Sequence, residues 1–508
     1  MSNPSDFYIS KGVLLKYKGR ASNIVIPDGV VSIGERVFCE RPYLKSVTIP
    51  DSVTSIGDEA FEGCSGLTSI LLPKGLKSIG NAAFCRCSGL TSIIIPDSVI
   101  SMGSRAFFLC NNLSSVKLSN SLTSIESSTF SCCSITDIVI PSSVERIGNG
   151  AFSCCGKLKK CVIPDSVQSI ADSVFSKCNG LKDEAGFVVI GETLFSYCGD
   201  EKDVVIPENV TRIGGSAFQG NSVLESVKIH DGVTSIGEAA FSNCKDLNDI
   251  SIPKGVSSIG RGAFTGCEKL ESISIPDSVL SIGANAFNGT ALFKNKDNWD
   301  NGILYVDNAL IQADSFFHGP YEIKPGTQVI ADEAFIDGIR GCHNLKSITI
   351  PGSVKHIGYR AFAKCEWLTS VTICEGVESV GFGAFSECTC LRSISISNSV
   401  KRIGEHLFFN CRSLSEISFG EWSDFYNRIV EECPPDVVIH TQTDPKELPS
   451  RRRRYALLGF VLENGQDYEN SRAKAYLNYA RKNSSKLLKF AVEHPELLQF
   501  MRGHHLLD

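Results

Sequence analysis

The sequence predicts a repeat solenoid followed by a small all-α C-terminal module, and three observations carry that prediction. Phenylalanine recurs every 23 residues at Phe38, Phe61, Phe84, Phe107 and Phe130, then at Phe152 after 22 and Phe175 after 23. The spacing of 23 returns in Phe218, Phe241, Phe264 and Phe287 and in Phe362, Phe385 and Phe408, with Phe335 between irregular gaps. Each of these sits in an edited copy of Ile49–Leu72, IPDSVTSIGDEAFEGCSGLTSILL. Beyond residue 450 the apolar residues change to helical spacing. Self-similarity at roughly 20–30 residues marks units too small to bury their own apolar faces, which must stack on neighbours.

Each position of the unit has a physical reason. Ile70 and Leu72 alternate along a short extended segment and point inward, while Leu71 points out. Pro73 ends that segment because proline cannot donate to a ladder. Val53-Thr54-Ser55-Ile56 reads as a second short extended run closed by Gly57, where a positive φ is expected. Ala60 and Phe61 turn inward, small beside large, so that stacked coils interdigitate.

The pattern I-P-x-x-V-x-x-I-G-x-x-A-F-x-x-C-x-x-L-x-S-I resembles the BspA-type (Treponema pallidum-type) leucine-rich repeat over roughly residues 21–420. Fifteen Phe-centred units carry it, and eleven of those phenylalanines follow Ala. The resemblance implies a right-handed leucine-rich-repeat-like β-solenoid with short parallel strands, in bacterial or protist proteins that bind other macromolecules.

Composition agrees with a folded chain: of 508 residues, 42% are hydrophobic and 21% charged. Length alone suggests about three domains, but a solenoid grows without needing a new core. A net charge of −6 gives no reason to expect nucleic acid. The start, MSNPSDFYIS, lacks the basic-then-apolar pattern of a secretory leader, and no apolar run approaches the length of a membrane span. A cytoplasmic location is therefore expected, with the cell surface or secretion by a non-classical route as the alternative that the family resemblance implies.

Cysteine is used as a packing residue. Eleven of the 21 cysteines fall three residues after the repeat Phe, from Cys64 to Cys411, and should stack as a column of small buried hydrophobes in reduced form. Cys85-x-Cys87, Cys388-x-Cys390, Cys132-Cys133 and Cys154-Cys155 have the wrong spacing for a zinc clamp, so neither metal nor cofactor is expected.

Taken in order, residues 1–20 read as a hairpin cap. The solenoid follows over 21–440, with hairpin inserts near 183–203 and 290–322. Trp422, Phe425 and Tyr426 begin a short helix-like cover, and 441–450 reads as a linker. The 451–508 module should contain about four short helices, with Ser450 and Ser484 or Ser485 at N-caps and Pro495 opening the last. From Pro445 onward twelve Lys/Arg face seven Asp/Glu, a net of +5, which leaves −11 on the rest. Arg451–Arg454 is expected as a solvated helix start or a patch docking on the acidic solenoid.

The function expected is a non-enzymatic protein-binding scaffold presenting an extended concave surface; the alternative is an adhesin or host-interaction protein of the cell surface. The candidate partner-binding strip is the outward strand position of the first half, Val25, Leu71, Ile94, Val139, Val162 and Val205. The second half puts hydroxyl residues at that position. Trp299, Phe316 and Phe317 of the irregular insert are candidate loop contacts, because long loops on rigid scaffolds often carry function. Catalysis finds no support, since no histidine keeps a fixed Ser, Cys or Asp partner and no nucleophile elbow or phosphate loop is present.

Overall fold

A computed structural model describes the chain except residues 1–2, 172, 315–317, 421–428, 430–431, 435, 449, 451, 465–470 and 508. It comprises two compact units, Met1–Leu247 and Asn248–Asp508. Trp422, Phe425 and Tyr426 lie outside the described residues.

The first unit opens with the antiparallel hairpin Phe7–Ser10 and Val13–Tyr17, whose second strand pairs in parallel with Ser32–Ile33. From there the same two-residue strand repeats once per coil in register, Ser32 opposite Ser55, Ser55 opposite Ser78 and Ser78 opposite Ser101. A second column of short parallel strands holds Asn23–Val25 against Ser46–Thr48 and Ser92–Ile94 against Ser115–Lys117. Asp137–Val139 pairs likewise with Lys160–Val162, and Asp203–Val205 with Ser226–Lys228. On the third side the repeat phenylalanines from Phe38 to Phe152 donate their N–H to the next coil, Phe38 to the Ala60 carbonyl and Phe61 to that of Ala83, both at 2.8 Å. Every side of a coil is thus closed by its neighbour, the condition that lets so small a unit be stable.

Alternation places side chains as the sequence predicts: Ile70 and Leu72 are buried and Leu71 is exposed. The phenylalanines form a buried column. Phe61 stacks on Phe84 at 5.1 Å and Phe84 on Phe107 at 5.2 Å, with rings within 6° of parallel. Tyr17 of the first hairpin and Phe195 of the hairpin Phe187–Ile190 and Thr193–Tyr197 meet the ends of this column.

Beside it runs the cysteine column. Cys64 donates its thiol hydrogen to the Phe38 carbonyl of the preceding coil at 3.0 Å, and Cys87, Cys110 and Cys133 repeat the contact at 3.1–3.2 Å. Each such carbonyl past the first coil also accepts its own coil's cysteine N–H, as Phe61 does from Cys64. All 21 cysteines are free thiols. Burial pushes the Cys64 and Cys110 thiols up to about 12, which keeps them protonated, as donors must be.

One expectation fails. Gly57 and its equivalents Gly34, Gly80 and Gly103 do not have positive φ. A Cβ on Gly57 would lie 2.8 Å from the backbone of Gly34 and Glu35, so glycine stands there because successive coils touch. Left-handed backbone falls instead two residues before and two after the repeat Phe. Glu59 (φ 53), Ala82 (φ 51) and Leu109 (φ 59) occupy such positions as readily as Gly63 (φ 71). The inter-coil hydrogen bonds at these turns outweigh the roughly 1–2 kcal/mol left-handed penalty of each such side chain. Opposite responses follow. Gly57→Ala should lose about 2 kcal/mol by overpacking, whereas Ala82→Gly should gain about 0.5 kcal/mol, the strain relieved less glycine's extra entropy. Urea unfolding of both variants checks the pair of signs.

The second unit repeats the scheme. The hairpin Ile303–Val306 and Ala309–Ala313 pairs through Ala309 with Val329, and the column continues through His356, Ser379 and Arg402. The other column runs from His318–Glu322 through Asn344–Ile350, Ser370–Ile373, Ser393–Ile396 and Glu416–Phe419 to Val438–His440.

Three tail helices follow among the described residues, Arg453–Asn464, Ser471–Val492 and Pro495–Gly503. The middle one passes straight through Ser484 and Ser485, so the expected N-cap there is wrong. The buried series Ala473, Tyr476, Ala480, Leu487 and Ala491 keeps one helical face across the serines, and burial outweighs their capping preference. The first tail helix presses on the last strand so closely that a Cβ on Gly459 would meet the Ile439 carbonyl at 2.3 Å. Residues 441–448 are packed too, with Thr441 and Leu448 buried.

Candidate functional site

All six strip residues face solvent from the outward position of the second strand column. Leu71 is 82% exposed, Val139 65% and Ile94 62%, with Val205, Val25 and Val162 between 61% and 42%. Val139 and Val162 are direct partners in the ladder. Leu71 and Ile94 occupy the same place in successive coils. The row is interrupted: Thr48 stands between Val25 and Leu71, Lys117 is the ladder partner of Ile94, and the 187–197 hairpin separates Val162 from Val205. The strip therefore offers two aliphatic pairs flanked by two single valines. In the second unit Thr372 and Ser395 hold this position and are exposed.

Trp299 is half-buried in its insert. Its indole N–H donates to the Phe293 carbonyl at 2.9 Å, Phe293 packs edge-on at 5.2 Å, and the Lys296 ammonium lies 3.9 Å over the ring. Phe316 and Phe317 lie outside the described residues.

The arginine run is structural where it is described. Arg452 is buried and donates to the Pro434 carbonyl at 3.0 Å. Arg453 donates to the carbonyls of Leu448 and Lys446, each at 2.9 Å, and Arg454 lies over the rings of Tyr455 and Phe490.

Three features escape a reading of the sequence. An exposed aromatic group in the second unit joins Tyr359 to Phe382 at 5.7 Å, Phe382 to His406 at 5.1 Å and His406 to Phe409 at 5.7 Å. Its signal is that Tyr359 and Phe382 follow the repeat Gly, where earlier coils carry Asp58 or Asn81. Secondly, His356 Nδ1 lies 2.5 Å from Ser379 Oγ beside a cavity of about 220 Å³ that Asp332 also lines. Burial raises the Asp332 carboxyl to about 6 and lowers the His356 imidazole. Asp332 accepts from the Tyr359 N–H at 2.7 Å, and no hydrogen bond among the described residues orients the second nitrogen of His356. The pair thus lacks the third group that would make a nucleophile and base work together. Thirdly, the Cys39 sulfur and the carboxylates of Glu59 and Glu62 lie within 4.8 Å of one another, but Glu59 is already ion-paired with Arg36.

No curated protein matches this chain. Among solved structures it is similar to a leucine-rich cell surface protein of Faecalibacterium prausnitzii, at 25% identity over 84% of this chain and 97% of that one, with a TM-score of 0.34. A leucine-rich repeat protein of Bacteroides ovatus gives 24% identity over 86% and 97%, with a TM-score of 0.31. The pneumococcal vaccine antigen PcpA gives 18% over 83% and 89%, with a TM-score of 0.38. The decisive match is to the model of the BspA-type leucine-rich repeat region, which fits residues 12–99, 77–184, 188–302 and 321–434. With the Phe period, the stacked coils and this match over most of its length, the chain belongs to the BspA-type leucine-rich repeat family.

Proposed function

We propose that this repeat scaffold is a non-enzymatic protein-binding module whose partner sits on the strip of Val25, Leu71, Ile94, Val139, Val162 and Val205. The observation that carries the reading is the exposure of large aliphatic side chains at one strand position through the first unit, headed by Leu71 at 82%. The same position carries Thr and Ser in the second unit, which speaks against a general need of parallel ladders for aliphatics there. Burying one such side chain contributes about 1.5–3 kcal/mol, so the two pairs suffice to anchor a partner. Trp299 ranks second, because its N–H and one face are already engaged.

The test is the quadruple variant Leu71→Asp, Ile94→Asp, Val139→Asp and Val162→Asp, compared with the parent in capture from extracts of the source cells. Capture of the parent's partner should fall at least tenfold while circular dichroism and unfolding temperature stay put. If capture persists, the strip is the wrong face. Protease added to intact cells decides where the partner is met: protection of the chain places the scaffold inside, and removal places it on the surface as an adhesin.

A further inference from the structure

We propose that Cys132 and Cys154 form a dithiol site that closes into an inter-coil disulfide by exchange with a low-molecular-weight disulfide. Each stands two residues after its repeat Phe, so the two occupy the same position in adjacent coils. Phe130 and Phe152 stack at 5.7 Å, which gives the local separation of those coils. The coils are tied at these very residues, Cys132 N–H donating to the Ser153 carbonyl at 2.8 Å and Cys154 N–H to that of Ser176 at 2.7 Å. Both have left-handed backbone, φ 61 and 59, so their Cα–Cβ bonds leave the turn in the same direction.

Accessibility singles out this pair. Cys154 is exposed and Cys132 half-buried, whereas their sequence neighbours Cys133 and Cys155 are buried and donate to carbonyls of the preceding coil. Cys39, Cys161, Cys198, Cys374 and Cys390 also reach solvent, but none has a cysteine at its own position in the next coil. Burial raises the Cys132 thiol, a hydrogen bond with Ser131 opposes the rise, and the Cys154 sulfur adds to it, as two thiols within mutual reach do. Lys177 holds the same position one coil further and favours the thiolate.

The exchange balances in two steps. The Cys154 thiolate attacks one sulfur of glutathione disulfide, forming a mixed disulfide and expelling one glutathione thiolate, which takes up the proton Cys154 lost. The Cys132 thiolate then attacks the Cys154 sulfur, the protein disulfide forms and the second glutathione leaves as its thiol. Two protein thiols are oxidised by two electrons and one small disulfide is reduced to two thiols. A coil spacing of 5.7 Å, as at Phe130 and Phe152, lies within the Cα–Cα range that disulfides span. Parallel rather than converging Cβ vectors strain the bridge, so it should open again under mild reductant.

The experiment treats the reduced full-length chain with glutathione disulfide and locates the products by mass spectrometry with fragment ions. The expected result is a 132–154 cross-link with two fewer reactive thiols, reversed by low millimolar dithiothreitol. Cys132→Ser should instead accumulate a stable glutathione adduct on Cys154. The proposal is overturned if the parent chain accumulates that adduct without bridging, or if the bridge maps to another pair. Both positions reach solvent, and should a serine variant nevertheless fail to fold, the parent chain's products decide alone.

Discussion

Phe107→Ala should destabilise the first unit by about 3–5 kcal/mol, the usual result of emptying a fully buried aromatic site. Phe107 has no exposed surface and stacks on Phe84 at 5.2 Å and Phe130 at 5.4 Å. Two aromatic contacts of about 0.5–1.5 kcal/mol each are lost with the transfer energy of the ring. The cavity cannot close by collapse, because the turn is pinned by the Phe107 N–H to the Thr129 carbonyl at 2.9 Å and by the Cys133 thiol on the Phe107 carbonyl at 3.2 Å. In a solenoid each coil leans only on its neighbours, so a weak coil in mid-column should also split one unfolding transition into two. Hydrogen exchange read along the chain by mass spectrometry during urea unfolding would resolve this. Loss of protection confined to one coil, with the midpoint elsewhere unmoved, would show that the column is not the cooperative element. Cys110→Ala is the contrast, removing one weak thiol hydrogen bond at about 1 kcal/mol.

Period-based inference works here because the period itself is a contact. Phe61 meets Phe84 because one coil of 23 residues brings each residue back over its predecessor, so inward and outward positions were legible from Ile70, Leu71 and Leu72 alone. The outward position of Val25, Leu71, Ile94, Val139, Val162 and Val205 was legible for the same reason. Reasoning inside a single coil fails where a neighbouring coil supplies the cause. Gly57 looks like a turn glycine but is a contact glycine, and its reason lies on Gly34. The left-handed residues give no signal, since Glu59, Ala82 and Leu109 share no property that favours that backbone. Ser484 and Ser485 look like caps until Leu487 and Ala491 are seen to stay on the face of Tyr476. The interruption of the strip by the 187–197 hairpin could be read from the sequence, and so could its grouping into pairs, since Thr48 and Lys117 fall on the same 23-residue period and the ladders hold them there.

The arginine run is the clearest case of a local signal with a distant cause, and it carries the second large effect. Arg452→Ala should weaken attachment of the tail helices by about 2–3 kcal/mol. The guanidinium is buried and donates to the carbonyls of Pro434 at 3.0 Å and Cys433 at 3.5 Å. Alanine would strand these acceptors away from water, and hydrogen bonds from charged donors contribute about 1.5–3 kcal/mol. The loss should appear locally, as faster exchange in Arg453–Asn464 and Val438–His440 and as new proteolytic cleavage near 441–452. Arg454→Ala is the matched control: its exposed guanidinium over Tyr455 and Phe490 is worth about 0.5–1 kcal/mol. Arg452→Lys should recover only part of the loss, because one ammonium lacks the planar fork that serves two carbonyls. Were Arg452→Ala and Arg454→Ala equally mild, the run would be surface charge after all, and the close seat of Gly459 on Ile439 would have to hold the helix alone.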